Sequence, residues 1–370
     1  MASLQKSIYF NSETYPIEVK TDFSIIRKFH QELPHYSRTP LVCLKDVATQ
    51  LKVKSVFVKD ESARLGLPAF KILGASWGSC RAIIARTGIP VDSSLAQIAQ
   101  AAQDEGIILF TASAGNHGRA LAAMAKILGI QAQVYVPRTV HDEAVRLIRS
   151  EGAKVIVSVK DYDGAMLEAF EQSSSTENGL FVQDTAFEGY EEIPTWIVEG
   201  YSTLLGEIEE QLEEKGLRPH LVITPVGVGS LAHAVVRHCK SGSRQCAVLS
   251  VEPESAACLY ESMVEGAPKT VSTAETIMEG MNCGTLSSAV FGDLKRGVDA
   301  CATVSDLESH QAVQYLSQVS VNSGPCGSAA LAALQKLSDT PAHHNLLSQD
   351  SVVVILNTEG LPYYNTPPTI

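Results

Sequence analysis

Short apolar runs rich in valine and isoleucine recur along the chain and alternate with longer segments of helical spacing. The runs are SVFVKD (55–60), GIILFTAS (106–113), AQVYVP (132–137), KVIVSV (154–159), HLVITPVG (220–227), CAVLSVEP (246–253) and SVVVILNTEG (351–360). Runs without a polar face are typical of strands buried on both sides, as in parallel sheets covered by helices. The pattern therefore predicts an α/β protein in which mostly parallel sheets are flanked by helices.

Helical spacing is clearest in two segments, GRALAAMAKILG (118–129) and IVEGYSTLLGEIEEQLEEKG (197–216). The second ends in charged residues before a glycine, which is a common stop signal for a helix. Proteins built from parallel strands and crossover helices bind ligands at the carboxyl ends of the strands. The loops that follow the strands are therefore the first place to look for a site.

Three glycine-bearing loops are expected to follow strands and to begin helices: SAGNHGRA (113–120), PVGVGSLAHA (225–234) and, less clearly, NSGPCGSAALAAL (322–334). Glycine lets the backbone approach a ligand closely, and amide groups at the start of a helix attract anions. PVGVGS is the best candidate for a phosphate site, although a Gly-x-Gly sequence is equally compatible with an ordinary tight turn.

The length of the chain indicates the number of domains, and its net charge indicates the kind of partner. The chain has 370 residues, which exceeds the size at which single cores usually stop growing, so two domains are expected. The net charge of −12 disfavours nucleic-acid binding, because that binding needs clustered basic side chains. The favoured partner is a small molecule.

The absence of recognisable targeting signals and the spacing of the cysteines indicate an intracellular protein. No apolar stretch reaches about 18 residues, and the start MASLQKSIYFNSETY lacks the basic and apolar regions of a signal peptide. We therefore expect no membrane association and a cytoplasmic location. The eight cysteines show no CxxC or CxxH spacing, which argues against a metal site and a disulfide framework, so most should be buried thiols.

One lysine stands out by its surroundings. In KDESARLGLPAFKILGAS (59–76), a strand end leads through a glycine and proline turn to Lys71 at the beginning of a helical pattern. A solvated surface lysine is the ordinary alternative, but the neighbours Phe70, Ile72 and Leu73 are apolar. A lysine desolvated by apolar neighbours has a lowered pKa and can form a Schiff base.

Taken together and in this order, FKILGAS after KDES, the SAGNHG loop and PVGVGS resemble the fold-type II pyridoxal-phosphate enzymes. The resemblance implies pyridoxal 5'-phosphate as cofactor, with Lys71 carrying it and Asn116 bonding the pyridoxal 3-oxygen. It also implies that the phosphate is held by the glycine loop Gly227, Val228, Gly229 and Ser230.

Further segments resemble one subfamily, the diaminopropionate ammonia-lyases, over roughly Tyr36 to Gly360. These are KDES (59–62), NHGRA (116–120), VQDTAFEGYEEIPTWIVEGY (182–201), TIMEGMNCG (276–284) and NTEG (357–360). The 182–201 string matters most, because dehydratases and cysteine synthases do not share it. Its structural alternative is a helix start capped by Asp184 or Thr185, with Trp196 in the core.

The resemblance implies β-elimination of ammonia from L-2,3-diaminopropionate, giving pyruvate and ammonia. Lys71 would remove the Cα proton, and Asp184 would face the β-ammonium and transfer protons. A carboxylate suits that place, because a cationic group entering a partly dry pocket needs a charged partner. Thr358 would be the partner of the pyridine nitrogen.

The SAGNHG loop would hold the substrate carboxylate. The resemblance assigns this role to Ser113 and the amides of Ala114, Gly115, Asn116 and His117, at the start of a helix. The side chain of His117 has two possible roles, which are proton transfer and structural hydrogen bonding within the loop.

The chain departs from the subfamily at three places. Ala114 stands where bacterial diaminopropionate ammonia-lyases have an aspartate tied to handling of the D-isomer, SGPCG (323–327) replaces an ESG-like run, and LPYY (361–364) replaces an acidic tail. Two alternatives therefore stay open. One is a serine or threonine dehydratase-like or β-replacement enzyme, and the other is a catalytically silent binding protein of the same fold.

The resemblance also implies an arrangement of domains and subunits. Residues 1–75 and 191–370 would form a large cofactor-binding domain, and residues 76–190 would form a small substrate-side domain. The expected assembly is a homodimer.

Overall fold

The computed structural model describes residues 8–19, 21–113, 115–242, 246–342 and 346–368. The strands are β1 (Tyr9–Phe10), β2 (Leu41–Cys43), β3 (Ser55–Asp60), β4 (Ile108–Ala112), β5 (Gln131–Val136), β6 (Lys154–Val157), β7 (Gly179–Phe181), β8 (Leu221–Pro225), β9 (Ala247–Pro253), β10 (Ala300–Val304) and β11 (Val352–Asn357).

The α-helices alternate with these strands for most of the chain. They are α1 (Phe23–Glu32), α2 (Lys45–Leu51), α3 (Lys71–Thr87), α4 (Leu95–Asp104), α5 (Asn116–Leu128), α6 (Asp142–Ser150), α7 (Tyr162–Ser175), α8 (Glu192–Gly200), α9 (Ser202–Glu213), α10 (Ser230–Cys239), α11 (Cys258–Glu265), α12 (Phe291–Gly297), α13 (Asp306–Gln318) and α14 (Pro325–Ser338). A short 3-10 helix spans Glu279–Met281.

The chain forms two compact units. The larger unit takes Met1–Thr21, Arg38–Arg64 and Leu204–Ile370, and the smaller unit takes Asp22–Ser37 and Leu65–Thr203. Residues 22–37, 65–75 and 191–203 thus group with the smaller unit, whereas the sequence-based division placed them in the large domain. That division, 1–75 with 191–370 against 76–190, stays a prediction about which domain binds the cofactor.

The larger unit is built on a seven-stranded sheet of order β1-β10-β9-β8-β11-β3-β2. The five inner strands pair in parallel, and only the edge strands β1 and β2 are antiparallel to their neighbours. All residues of β8, β10 and β11 are buried, as expected for strands covered on both faces. The α/β expectation is confirmed for this unit.

A buried charge cluster lies beside this sheet in the larger unit. It consists of Lys59, Glu61, Arg64 and Glu207, together with the polar side chains of Thr39 and Gln211. Lys59 Nζ and an Arg64 guanidinium nitrogen each lie 2.7 Å from Glu207 Oε2. Burial would raise the pKa of Glu207, but its hydrogen bonds and charge interactions, first with Arg64 and then with Lys59, hold the pKa at about 2.

The smaller unit contains a four-stranded sheet of order β6-β5-β4-β7, and every pairing in it is parallel. Aromatic side chains on one side of this sheet pack together around Phe110 and Phe181. The mostly parallel character predicted from the apolar runs is confirmed here as well, because β4, β5 and β6 overlap three of those runs.

The sequence reading of this fold was wrong at two places. Residues 197–216 do not form one helix, because α8 ends at Gly200 and α9 begins at Ser202. The loop before Pro325 follows α13 rather than a strand.

Four strands were not predicted. β1, β2 and β7 have two or three residues, too few to show a period. β10 reads ACATV, and its alanines have little preference for strands although all five residues are buried.

Among the described residues, no helix is both long and apolar enough to cross a membrane. Six of the eight cysteines are buried free thiols, as the sequence predicts, while Cys43 is exposed and Cys283 is half-buried.

Candidate active site

Lys71 is the first residue of α3, as the sequence predicts. Its ammonium lies 5.5 Å from the centre of the Phe70 ring, and that ring packs against Tyr201 with centroids 4.9 Å apart. The Lys71 side chain is 20% exposed, so a small molecule can reach its nitrogen while its neighbours remain largely dry.

Close packing of α8 fixes the first turns of α3. A Cβ on Gly200 would lie 2.5 Å from the carbonyl oxygen of Leu73, and a Cβ on Gly74 would lie 2.6 Å from Cε1 of Tyr201. Buried His30 adds a hydrogen bond, because its Nε2 donates to the Leu73 oxygen at 2.9 Å while its Nδ1 accepts from Thr203 at 2.6 Å. The helix that presents Lys71 therefore has little freedom to shift.

Asp184 forms an ion pair with Lys71, in which Nζ donates to Oδ2. The Asp184 side chain is 6% exposed. Burial would raise the pKa of Asp184, but the charge of Lys71, with the Lys71 hydrogen bond, holds it at about 2. At neutral pH this buried group is therefore an ionised acceptor.

His117 lies in the first turn of α5 and faces the same carboxylate. Its Nε2 donates a hydrogen bond to the carbonyl oxygen of Val182 at 3.1 Å, because a carbonyl can only accept. Its Nδ1 lies 4.0 Å from Asp184 Oδ2. Burial lowers the pKa of His117, and although Asp184 opposes that shift, the ring is neutral at physiological pH.

The loop before α5 is held by Ser113. The Ser113 hydroxyl oxygen accepts from the Gly115 amide at 3.0 Å, and its own amide donates to the Tyr135 carbonyl at 2.9 Å. Asn116 begins α5, so the predicted helix start in SAGNHG is confirmed. Ala114 lies outside the described residues.

Gln183 is a buried residue of this region that sequence reasoning missed. Its Oε1 accepts from the Thr111 hydroxyl at 2.7 Å and from the Ala112 amide at 3.0 Å, so its Nε2 must point the other way. That nitrogen donates to the Tyr162 hydroxyl at 2.8 Å and to Asp184 Oδ1 at 3.4 Å. In the sequence, only its position next to Asp184 could have indicated that Gln183 belongs to this region.

Thr185 was considered only as a helix cap. No helix begins at Thr185, because α8 starts at Glu192, so capping does not explain the Asp184 and Thr185 pair. Among the described residues, the buried Oγ1 of Thr185 has no hydrogen-bond partner. A buried polar atom without a partner marks a place where a ligand or water can bind.

The glycine loop lies in the larger unit, between β8 and α10. Gly229 has φ +94°, in the left-handed region, and a Cβ on Gly227 would lie 3.0 Å from the Gly280 carbonyl oxygen. The Val228 carbonyl accepts from the Ser287 amide at 2.9 Å, and α10 begins at Ser230. The first amides of a helix have no partner within it and attract anions.

Thr358 follows the last residue of β11 in the larger unit and is 5% exposed. The preceding Asn357 fixes this position. Its Nδ2 donates to Asp60 Oδ1 at 2.8 Å, and its Oδ1 accepts from the Ser323 hydroxyl at 2.8 Å. A Cβ on Gly327 would lie 2.0 Å from that Oδ1, so a glycine is required there.

These residues fit pyridoxal phosphate. In the smaller unit, the half-buried primary amine of Lys71 suits an aldehyde, and in the larger unit, the glycine loop before α10 suits a phosphate. The structure brings Lys71, His117 and Asp184 together in the smaller unit. The glycine loop and Thr358 belong to the larger unit.

Comparison with known proteins agrees with this chemistry. The family model described as "Pyridoxal-phosphate dependent enzyme" matches residues 32–359. A diaminopropionate ammonia-lyase of Escherichia coli strain K12 is 33% identical over 369 residues, covering 95% of this chain and 92% of that protein.

Solved structures of an Escherichia coli diaminopropionate ammonia-lyase are also similar. The holo form has a TM-score of 0.87 at 30% identity, covering 96% of this chain and 94% of that one. The complex with D-serine has a TM-score of 0.86 at 30% identity, covering 96% of this chain and 93% of that one.

Proposed function

The chain belongs to the pyridoxal-phosphate dependent enzymes, and from that premise we propose that it is an ammonia-lyase acting on L-2,3-diaminopropionate. With water, the reaction gives pyruvate and two molecules of ammonia. The observation that carries the choice of substrate is Asp184, a buried carboxylate that is ionised and accepts a hydrogen bond from an ammonium group. The relatives of known activity support the same choice.

Pyridoxal phosphate supplies the electron sink for the charge left at Cα when its proton departs. The chain supplies the other parts of the mechanism. Lys71 takes the Cα proton, and its position at the fixed start of α3 keeps the amine in place. Asp184 accepts a hydrogen bond from the β-ammonium and keeps it protonated, so that its nitrogen leaves with the C–N bonding pair as neutral ammonia. Ser113 and the backbone amides from Ala114 and Gly115 to His117 hold the substrate carboxylate.

The cofactor contacts are proposed from the resemblance in sequence. Lys71 carries pyridoxal phosphate and Asn116 bonds its 3-oxygen. The amides of Gly227, Val228, Gly229 and Ser230 hold its phosphate, and Thr358 faces its pyridine nitrogen. A hydroxyl at that nitrogen leaves it largely unprotonated, in contrast to a carboxylate.

The substrate class is tested by supplying purified holoenzyme with a panel of β-substituted amino acids. The panel contains L-2,3-diaminopropionate, L-serine, L-threonine and O-acetyl-L-serine with and without an added thiol, and keto acid and ammonia are measured. We expect diaminopropionate to have the highest kcat/KM and to release ammonia and pyruvate in a 2:1 ratio. Preference for a hydroxy amino acid, or a product that contains the thiol, would contradict the proposal.

A second candidate, a serine or threonine dehydratase-like enzyme, is favoured by one observation. Ala114 makes the loop TASAGNHG similar to the dehydratase version. The same panel separates the two, because a dehydratase turns over serine or threonine first. A chain with no turnover of any panel member would instead be a silent binding protein.

Ala114 also leads to a proposal on stereochemistry. One base reaches the α-proton from one face only, and alanine cannot act as a base for the other face. The enzyme therefore processes the L-isomer and is nearly inert towards D-2,3-diaminopropionate. Pyruvate formation from each pure enantiomer tests this, and Ala114→Asp should gain activity on the D-isomer. Similar wild-type rates on both enantiomers would refute it.

We propose that the enzyme works in the cytoplasm as a homodimer, on a small amino acid and without nucleic acid or membrane. The basis is the resemblance to the diaminopropionate ammonia-lyases. Light scattering on the purified holoenzyme gives the number of subunits, and cell fractionation gives the location.

A further inference from the structure

Among the residues that the structure describes, one ring nitrogen of His117 makes a hydrogen bond and the other makes none. Its Nε2 donates to the Val182 carbonyl, which requires the proton on Nε2. In the neutral ring, Nδ1 then carries a lone pair and can only accept. That nitrogen is fully buried and has no hydrogen-bond partner among the described residues.

A second acceptor lies beside this lone pair. Oδ2 of Asp184 is 4.0 Å from His117 Nδ1, and both side chains are about 95% buried. Two neighbouring buried acceptors are unfavourable unless a donor satisfies both, because each unsatisfied one loses its hydrogen bond to water. The arrangement therefore calls for a donor.

The 4.0 Å separation selects the kind of donor. One nitrogen can lie about 2.9 Å from both acceptors, which is an ordinary hydrogen-bond length. A primary ammonium has three N–H bonds and can donate to both, whereas a hydroxyl has one O–H and leaves one acceptor unsatisfied. The Lys71 ammonium already donates to Oδ2, so this oxygen accepts a primary ammonium in this fold.

We propose that His117 is a specificity-determining residue whose Nδ1, with Asp184 Oδ2, accepts two N–H bonds of the substrate β-ammonium. This inference rests on the proposed function and extends it. The pair selects a β-ammonium over a β-hydroxyl, because a serine or threonine substrate satisfies only one of the two buried acceptors. The Nε2 bond to Val182 is the structural role of the same ring, and it holds Nδ1 towards the substrate.

Two substitutions separate the two roles. The amide nitrogen of glutamine can replace Nε2, so His117→Gln keeps the donor to Val182 and removes the acceptor at Nδ1. The amide oxygen of asparagine can replace Nδ1, so His117→Asn keeps the acceptor and loses the bond to Val182. His141→Gln, at an exposed histidine of the same unit, is the control.

The measured quantity is the ratio of kcat/KM for L-2,3-diaminopropionate to kcat/KM for L-serine. We expect His117→Gln to lower this ratio by about 10- to 100-fold, since a hydrogen bond to a charged group is lost. His117→Asn should retain the ratio within a few-fold and unfold at a lower temperature. A wild-type ratio in His117→Gln, or a ratio lost equally in both variants, would overturn the proposal.

A measurement without turnover covers the case in which His117→Gln does not fold. ¹⁵N NMR of histidine-labelled wild-type holoenzyme reports which ring nitrogen carries the proton. A bare Nδ1 and a protonated Nε2 at pH 7 support the proposal, and a protonated Nδ1 overturns it. If the wild-type enzyme prefers serine, the proposed function fails, whereas an unchanged ratio in His117→Gln with diaminopropionate preferred removes only the role of His117.

Discussion

At the scale of single residues, the site depends on a buried carboxylate that stays ionised. Desolvation disfavours the charge on Asp184, but Lys71 provides an opposite charge and a hydrogen bond at the same oxygen. The net result is a pKa of about 2, so Asp184 remains an acceptor through the physiological range. Such an acceptor suits a cationic leaving group, because its attraction is strongest where water is excluded.

Replacing Asp184 by asparagine should remove turnover and leave cofactor binding intact. The side chain keeps its shape but loses the charge and the capacity to take a proton, which typically costs about 10²- to 10⁴-fold in kcat. Pyruvate release gives the rate, and the visible absorbance of the cofactor gives its occupancy. Asp104→Asn, at an exposed aspartate of α4, should match the wild type. An Asp184→Asn enzyme within a few-fold of the wild-type rate would limit Asp184 to a structural role.

At the scale of elements, the position of Lys71 depends on how closely α3 and α8 approach. Glycines on both helices allow that approach, Gly74 on α3 and Gly200 on α8. In the larger unit, Glu207 on α9 ties the strand residue Lys59 to Arg64 in the loop that follows β3. Close backbone contact thus fixes α3 against α8, and buried charge fixes β3 against α9.

Gly200→Ala should destabilise the protein, although alanine is the better helix former. The added Cβ would lie 2.5 Å from a backbone oxygen, so a helix must shift at a cost of about 1–3 kcal/mol. Gly206→Ala is the matched control on α9, because nothing lies within 4 Å of its Cβ position. It should stabilise by about 0.5–1 kcal/mol. Urea unfolding followed by circular dichroism measures both, and equal effects would contradict the packing argument.

Glu207→Gln should destabilise the larger unit and change its response to acid. Lys59 and Arg64 would lose their common buried counter-charge, which costs about 3–5 kcal/mol. The folded pKa of about 2 lies below the ordinary 4.5, so the stabilisation is complete above pH 4.5 and is lost as the pH falls towards 2. The free energy of unfolding of the Glu207→Gln variant should therefore fall less steeply with acid below pH 4.5 than that of the wild type.

Unfolding free energies from pH 7 down to pH 3 test the Glu207 prediction. The control is Glu214→Gln, which breaks the pair with Arg38 at a side chain that is 56% exposed. Exposed pairs contribute little, so this variant should follow the wild-type curve. A Glu207→Gln protein with the same stability and acid slope as wild type would show that the cluster is not ionised as described.

At the scale of the whole molecule, cofactor binding and folding are coupled. A ligand that binds only the folded protein stabilises it by about 4 kcal/mol at a thousandfold excess over Kd. Lys71 begins a helix in the smaller unit, and the glycine loop begins a helix in the larger unit. The folded protein is therefore expected to gain stability when the cofactor binds.

Removing pyridoxal phosphate should lower the thermal unfolding midpoint of the wild-type protein, and adding it back should restore the midpoint. In Lys71→Ala, addition should raise the midpoint less, and borohydride should leave no cofactor attached, because the covalent link is missing. Lys126→Ala, at an exposed lysine of α5, should behave as wild type. Scanning calorimetry and mass spectrometry measure the two effects, and a covalent adduct in Lys71→Ala would refute the assignment.

The sequence by itself determined the α/β class and the helix starts at Lys71, Asn116 and Ser230, because buried strands and glycine turns leave local patterns. Its motifs also identified the family. Only the tertiary structure decided that Nδ1 of His117 has no hydrogen-bond partner among the described residues, that Gln183 contacts Asp184 and Tyr162, and that Glu207 joins Lys59 to Arg64. Those features depend on groups up to 148 positions apart, such as Lys59 and Glu207, and on burial, which changes protonation. A local pattern of residues predicts neither contacts between distant positions nor the effect of burial on protonation.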